Sequence, residues 1–348
     1  MTDPATPSGS DPAPHRAPTM RAPRTRESFK DVLWRNIATV LMVAVAFGVA
    51  ATFSLATDSF LTTANLQNLL RQAAPLLIVA SAMTLVITTG QIDLSVGSTL
   101  ALSGAVAATL LQGGLDSSIV IVTVLAIGAM IGAVNGWFSA YQGVPSFIVT
   151  LGGLTAIRGV ALLITEGFSI PISRDLFFIT LGRGQIFGLF IPAVLAVAVW
   201  AVLAVLLSRM RFGQYVTGIG ANAESVRRAG VNVRRIKLAV LVLSSMAAAL
   251  AGMMVAARLG SGSANAGVAF ELTAISAVVL GGTNLFGGKG TLVGTLVGTL
   301  IIAMVENGLI LMGVSPFITP VITGVILVLA VWANAQGFGR LSQVRRTS

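Results

Sequence analysis

The amino-acid sequence predicts an all-α protein, a polytopic bundle of transmembrane helices, and three observations support this class. Hydrophobic residues make up 55% of the 348 residues and charged residues only 10%, whereas a soluble domain has roughly 25% charged residues. The mean hydropathy is +0.90. Apolar runs of about 20 residues, the length that a helix needs to cross a bilayer, recur along the chain, and the short alternating segments of a transmembrane barrel are not seen.

About ten membrane segments are predicted within residues 35–335, with a tail at each end. Residues 1–34 are rich in Pro, Ala, Ser and Arg, so we expect a disordered tail that buries no core. Several segments are short, and the third, fifth and eighth are candidates for entering the membrane without crossing it. Residues 336–348 form a second, basic tail. The predicted segments are 35–57, 73–89, 96–112, 118–141, 146–165, 186–207, 238–257, 269–282, 291–312 and 317–334.

The positive charge is concentrated in three regions. Residues 1–36 carry six Lys and Arg against four acids, residues 208–237 carry seven against one, and the C-terminal tail carries three against none. Loops on the cytoplasmic side of a membrane show this excess of Lys and Arg. An even number of predicted segments separates each basic region from the next, so all three regions, and both termini, are expected in the cytoplasm. This distribution accounts for the net charge of +10 without a nucleic-acid partner.

Glycine spacing indicates how the segments pack, and one alignment indicates an internal repeat. Glycines recur every four residues in GAMIGAVNG (128–136) and in GTLVGTLVGT (290–299), which lines one helix face and lets backbones approach closely. ITTGQIDLSVGSTL (Ile87–Leu100) aligns without gaps with VLGGTNLFGGKGTL (Val279–Leu292). Segments 2–5 and 7–10 are therefore predicted to form a weak repeat, a common arrangement in transporters.

Four charged residues lie in or near the apolar segments: Asp93, Arg158, Glu271 and Glu306. Such residues are costly in a bilayer and mark functional positions by default. Asp93 precedes an apolar run, so we expect it to satisfy N–H groups at a helix start rather than to contact substrate. Arg158 and Glu271 lie near segment ends, which suits interfacial anchors as well as a pathway. Glu306, beside Asn307, is the deepest and fits a polar pathway or a link between two helices equally well.

Composition argues against several kinds of chemistry. The chain has no Cys, and its single His lies in the N-terminal tail, so disulfides, thiolate or His metal sites, His catalysis and a bound cofactor are not expected. A single Asp near the membrane segments cannot supply an aspartyl protease dyad. GGTNLFGGKG (281–290) lacks the first Gly and the final Ser or Thr of a phosphate-binding loop. It is interpreted as a tight cytoplasmic turn with Lys289 at the lipid headgroups.

The basic region 208–237 interrupts the apolar chain with a polar helix. Asn222 is a good N-cap and Gly230 a natural stop, which predicts a short helix from Ala223 to Ala229. Binding to anionic headgroups would explain the basic residues, but a capped helix favours docking in a groove of a partner protein. The charges match the helix dipole, with an acid in the first turn and two bases in the last, namely Glu224, Arg227 and Arg228.

Four stretches occur in the order found in one protein family: TLVITTGQIDLSVGSTLALSGAV, VPSFIVTLGGLTAIRGVALLITEG, RFGQYVTGIGANAESVRRAGVNVRRIK and AISAVVLGGTNLFGGKGTLVGTLVG. With them, residues 35–335 resemble the membrane permease subunits of ABC importers for simple sugars of the ribose, xylose and galactoside type. Branched-chain amino acid permeases are more distantly similar. The most specific parts are IDLSVGS, which holds Asp93 and Ser95, and GAN–ES–R–AGV, which holds Asn222 and Ser225.

The resemblance implies a permease in a bacterial plasma membrane that works as a homodimer or heterodimer among membrane lipids. Its implied partners are two cytoplasmic ATPase subunits, which hydrolyse the ATP, and an extracytoplasmic sugar-binding protein; the chain itself is not an enzyme. Gln91 stands where the family usually has a second Gly. The resemblance places the ATPase-coupling helix within Gly218–Lys237, at Asn222, Glu224, Ser225, Arg227, Arg228 and Gly230, and leaves Gln91, Asp93, Ser95, Glu306 and Asn307 as pathway or structural polar residues.

Three other interpretations fit parts of the sequence. A secondary transporter or channel has similar hydropathy, but it needs no ATPase and would not depend on residues 208–237. A permease of the same superfamily for an amino acid or another small polar solute would take up zwitterions. A membrane enzyme is the weakest alternative, because the sequence offers no catalytic set.

Overall fold

The structure, a computed structural model, describes residues 37–318, 320–326 and 328–332. Six helices in this part of the chain are long and apolar enough to cross a membrane, and four shorter apolar helices accompany them. The all-α prediction is confirmed, and each of the ten predicted segments corresponds to one of these helices. The tails predicted at 1–34 and 336–348 lie outside the described residues.

The elements follow one another in a simple order. The helices are α1 Ile37–Ala56, α2 Thr63–Thr88, α3 Val96–Gln112, α4 Ser117–Ala140, α5 Ser146–Thr165, α6 Thr180–Arg183, α7 Ile191–Arg209, α8 Arg211–Arg228, α9 Val233–Leu259, α10 Phe270–Leu280 and α11 Leu292–Leu311. Turns of 3-10 helix lie at Phe177–Ile179 and Pro316–Ile318, and residues 320–326 and 328–332 are helical. The two-residue strands β1 Ile170–Pro171 and β4 Ser261–Gly262 pair antiparallel, as do β2 Gln185–Ile186 and β3 Leu189–Phe190.

One segment prediction needs correction, and another is not supported by the length of its helix. Helix α2 begins at Thr63, not at 73, because the Thr62 side chain caps it by accepting a hydrogen bond from the Asn65 N–H at 3.3 Å. The first turns of α2 are polar, so hydropathy did not reveal them. Helix α5 has 20 residues and is long enough to cross, so its length does not support the expectation of partial entry for the fifth segment. Helices α3 and α10, with 17 and 11 residues, are short as expected.

Helices α2 and α9 lie in the core of the bundle. In the most apolar stretch of each helix, 83% of the residues are buried in α2 and 61% in α9, whereas only 11% are buried in α5 and 17% in α7. The outer helices leave large apolar side chains exposed, among them Leu163 and Val202. Apolar surface of this extent needs lipid or another protein subunit around it.

Close helix packing through glycine is confirmed for α4 and α9. A Cβ at Gly132 would overlap the backbone of Leu241 and Val242, and one at Gly128 would overlap Ala249 and the carbonyl of Ser245. The side-chain-free stripe of α4 therefore lets the two backbones touch. A bulkier residue at either glycine would push α4 off the central helix.

The aligned stretches of the internal repeat form the same local structure. Helix α2 runs into Gly90 at φ +76° and helix α10 into Gly282 at φ +80°. In both, the glycine N–H donates to the carbonyl three residues back, at 2.8 and 2.9 Å, and the next N–H donates to the carbonyl five back, at 3.2 Å. These bonds define a Schellman helix end. The sequence repeat thus corresponds to two identical helix terminations.

Candidate functional site

The basic loop, residues 210–232, holds the predicted short helix as the second half of α8. Asn222 has an extended backbone (φ −161°, ψ 97°) that divides α8 into two helices. Its side-chain oxygen accepts a hydrogen bond from the Ser225 N–H at 2.9 Å, as an N-cap does. The second helix ends at Arg228, and Gly230 follows with φ +83°. The first half of α8, Arg211 to Ala221, is a helix that the sequence analysis did not predict.

Three exposed charges on this short helix form one ion-pair cluster. Arg227 donates to both carboxylate oxygens of Glu224 at 2.8 Å, and Arg228 donates to one of them at 3.0 Å. Hydrogen bonds from these two arginines lower the pKa of Glu224 to about 2, so the carboxylate is ionised at physiological pH. Exposed pairs of this kind add little to stability. Their effect is to hold both guanidinium groups on one face of the helix.

The first half of α8 contacts the end of α2 and the turn between α10 and α11. We call Thr88, Gly90, Gly220, Gly287 and Gly288 the glycine junction. The Gly288 N–H donates to the Thr88 carbonyl at 2.9 Å, and a Cβ on Gly220 would overlap both of these atoms. A Cβ on Gly287 would lie 2.9 Å from the Gly90 nitrogen. Backbone therefore meets backbone where the basic loop touches the end of α2 and the turn that follows α10.

The turn between α2 and α3 carries three of the predicted polar residues, all buried. The Gln91 amide donates to Ser139 Oγ of α4 at 3.1 Å. Asp93 Oδ1 accepts from the Ser95 N–H at 3.0 Å and from its hydroxyl at 2.6 Å. Ser95 Oγ in turn accepts from the Asn135 amide at 3.0 Å. This chain of bonds fastens the start of α3 to α4.

Glu306 and Asn307 are neighbours on α11 but have different surroundings. Asn307 and Asn65 exchange two amide hydrogen bonds, at 2.9 and 3.0 Å, that join α11 to α2. Glu306 instead lines a cavity together with Arg258. Glu306 and Asn307 lie about 20 Å along α11 from its first residue, Leu292, at a rise of 1.5 Å per residue. The structure therefore separates the predicted pathway residues into two groups.

The remaining two charged candidates hold the loop before α10. Arg158 of α5 donates to the carbonyl oxygens of Ala264, Ala266 and Gly267. Glu271 is buried against Gly97, in the first turn of α3, where a carboxylate complements the helix dipole. Arg158 also attracts Glu271 electrostatically.

Within the described residues, no group of three or more His, Cys, Asp or Glu side chains is placed to hold a metal ion. The arrangement offers a protruding basic helix, a backbone contact from that helix to the end of α2 and the turn after α10, and a polar cavity farther along the bundle.

Comparison with known proteins identifies the class and then the family. The family described as "Branched-chain amino acid transport system / permease component" matches residues 65–331. The chain is 40% identical to the ribose import permease protein RbsC of Escherichia coli over 84% of this chain and 91% of RbsC. It is 35% identical to the xylose transport system permease protein XylH of Escherichia coli, over 89% and 95%, and 37% identical to RbsC of Haemophilus influenzae, over 86% and 91%. No solved structure matches.

The protein is therefore a multi-pass membrane transport protein. It belongs to the family of transport-system permease components, which here includes permeases of ABC sugar importers. The family resemblance expected from the sequence is confirmed.

Proposed function

We propose that this chain is the permease subunit of an ABC importer that carries a simple sugar, delivered by an extracytoplasmic binding protein, across the bacterial plasma membrane. The observation that carries the proposal is the identity of 35–40%, over more than four fifths of the chain, to permeases named for ribose and xylose. The pathway would be completed by a second permease subunit. ATP hydrolysis is assigned to two separate cytoplasmic subunits.

The basic loop supports a mechanism for coupling. The short helix at 223–228 would dock in a groove of the ATPase subunit, presenting Arg227 and Arg228, whose orientation Glu224 holds. Closure of the ATPase pair would then displace α8. Because Gly220 touches the turns after α2 and α10 without an intervening side chain, that displacement would reach both helix ends. Their movement would shift the bundle between inward- and outward-facing states.

The distribution of Lys and Arg supports a cytoplasmic location for the basic loop and both termini. Helix α9 runs from Val233, beside the basic loop, to Leu259 at the opposite end of the bundle. The loops at that end, including β1 and β4, would face the sugar-binding protein. This orientation puts the cavity of Arg258 and Glu306 on the delivery side.

Copurification tests the proposal. The tagged chain is isolated from its native membranes in mild detergent beside the variant Arg227→Glu/Arg228→Glu, and copurifying proteins are identified. We expect a soluble ATPase subunit in about equal amount with the wild type and its loss from the variant, because both the docking charge and the Glu224 cluster are removed.

The matched control reverses another adjacent arginine pair, Arg345→Glu/Arg346→Glu, in the C-terminal tail. It should retain the ATPase subunit. A chain that is isolated alone, and that still carries ribose or xylose into vesicles without ATP, would instead establish a secondary transporter.

A further inference from the structure

A cavity of about 300 Å³ lies between α2, α9, α10 and α11. Its volume is at the lower end of the roughly 300–1,000 Å³ that is typical of small-molecule sites. It reaches the surface at Val268, which is 70% exposed and lines the cavity. The cavity is therefore open to a solute that arrives from the end of the bundle opposite the basic loop.

Two opposite charges line this cavity without pairing with each other. The salt bridges found among the described residues are those of Glu224, so Arg258 and Glu306 share the cavity without forming one. Arg258 Nη1 is shielded from solvent and has no hydrogen-bond partner. Unpaired charges at this depth are costly, and a bound molecule that satisfied both of them would offset that cost.

The other groups that line the cavity are suited to a small molecule with several hydroxyl groups. Gln72 and Thr273 add hydrogen-bond donors and acceptors, and Phe270 adds an apolar ring. A hydroxyl can donate to a carboxylate and accept from a guanidinium, so one polyol can satisfy both charges.

We propose that this cavity is a binding subsite for a neutral polyol of monosaccharide size, held between Glu306 as acceptor and Arg258 as donor. The proposal rests on the sugar-importer function and deepens it by assigning the solute a site within one subunit. The site lies beside the helix that ends at the glycine junction, since Gln72 and Thr88 share α2.

The absence of cysteine from the chain makes a direct test possible. The full chain carrying Val268→Cys is reconstituted in lipid nanodiscs. The rate at which the new thiol reacts with a charged methanethiosulfonate is then measured in the presence of D-ribose, D-xylose, glycine or L-leucine, and without any of them. We expect ribose or xylose to slow the reaction and the zwitterions not to. Leu189→Cys, which is 57% exposed and does not line the cavity, should react at the same rate with and without sugar.

Glu306→Gln and Arg258→Gln are then combined with Val268→Cys. Each should raise the sugar concentration needed for half-protection by about tenfold, the loss expected when a hydrogen bond to a charged group is weakened. Arg174→Gln/Asp175→Asn, an exposed pair outside the cavity, is the matched control and should leave protection unchanged. If either charge variant is not recovered from the membrane, Thr273→Val replaces it, with a smaller loss expected in the same direction.

The outcomes separate this inference from the proposed function. If whole cells take up ribose or xylose in an ATP-dependent manner but neither sugar protects Val268→Cys, the subsite is overturned and the importer remains. Protection that is unaffected by the charge variants overturns the roles of Glu306 and Arg258. Protection by glycine or L-leucine alone overturns the polyol assignment, and the sugar-importer function with it if those compounds are also the ones that cells take up.

Discussion

Asn65 and Asn307 form a buried reciprocal amide pair between two helices of the bundle. Each amide in such a pair satisfies both a donor and an acceptor of the other, which neither could do with lipid. Interhelical hydrogen bonds in membranes contribute about 0.6 kcal/mol on average, with a maximum near 1.7 kcal/mol. The main effect of the pair is therefore to fix the register of α2 against α11, while its contribution to the stability of the fold is small.

A double-mutant cycle on this pair should show positive coupling. Asn307→Leu leaves the Asn65 amide buried without its partner, whereas Asn65→Leu/Asn307→Leu removes both groups. We expect the double variant to lose less than the sum of the single losses, with a coupling energy of about 0.6–1.7 kcal/mol. Thermal unfolding in detergent measures it, and strictly additive losses would contradict the structural pairing.

Gly220 lacks a side chain at the point where the basic loop contacts the backbone of Thr88 and Gly288. Gly220→Ala would place a methyl group on the Thr88 carbonyl and the Gly288 nitrogen, and overpacking costs roughly 1–3 kcal/mol. We expect a lower melting temperature and reduced ATP-driven uptake. Gly48→Ala, where a Cβ meets no atom within 4 Å, serves as control and should keep both. Wild-type behaviour of Gly220→Ala would show that the junction does not transmit movement.

At the scale of single elements, the short helix at 223–228 depends on its N-cap, because so few residues cannot form a stable helix alone. Replacing the cap in Asn222→Ala removes the hydrogen bond to the Ser225 N–H and costs about 1 kcal/mol of helix stability. We therefore expect the ATPase subunit to bind the permease about fivefold more weakly. Asn222→Asp keeps an acceptor and should bind as the wild type does.

Surface plasmon resonance between the immobilised permease and the purified ATPase subunit measures this difference. Equal affinity of Asn222→Ala and Asn222→Asp would mean that the helix is held by its surroundings and not by its cap.

The predictions of helices succeeded where hydropathy alone marks the helix. They failed where a helix depends on contacts between residues that are distant in the sequence. Every apolar helix was found, because lipid-facing and core helices are both apolar. The first half of α8 was missed because Gly213, Gly218 and Gly220 disfavour a helix. Gly213 and Gly220 lie so close to neighbouring backbone atoms that a side chain would not fit at either position. The spacing of Glu224 from Arg227 and Arg228, three and four residues, is typical of helix ion pairs, but the sequence analysis related these charges only to the helix dipole and did not predict the cluster.

At the scale of the whole molecule, the arrangement of charge predicts which ends of the helices share a compartment. Ala229→Cys on the basic loop and Arg174→Cys at the opposite end are both exposed positions. In intact cells a membrane-impermeant maleimide should label Arg174→Cys and not Ala229→Cys, whereas both should react after detergent opens the membrane. Labelling of Ala229→Cys in intact cells would reverse the orientation.

The polar cavity shows the limit of sequence analysis for the site. Glu306 was a candidate because an acid in an apolar helix is conspicuous, but nothing in the sequence connects it to Arg258, which lies 48 residues earlier at the end of another helix. Similarly, Asp93 was expected at a helix start, whereas its connection to Asn135 through Ser95 depends on how α3 and α4 pack. Individual residue types can be recognised from a sequence, but such pairings follow from the tertiary fold.

The glycine junction has a mechanical consequence. A contact made through side chains can absorb a displacement, because a rotamer can change before either backbone moves. At Gly220, Gly287 and Gly288 there is no rotamer to change, and the Gly288–Thr88 hydrogen bond is already formed. If the loop is displaced, as the proposed coupling requires, no side-chain rotation is available here to absorb the displacement before the end of α2 and the turn after α10 move.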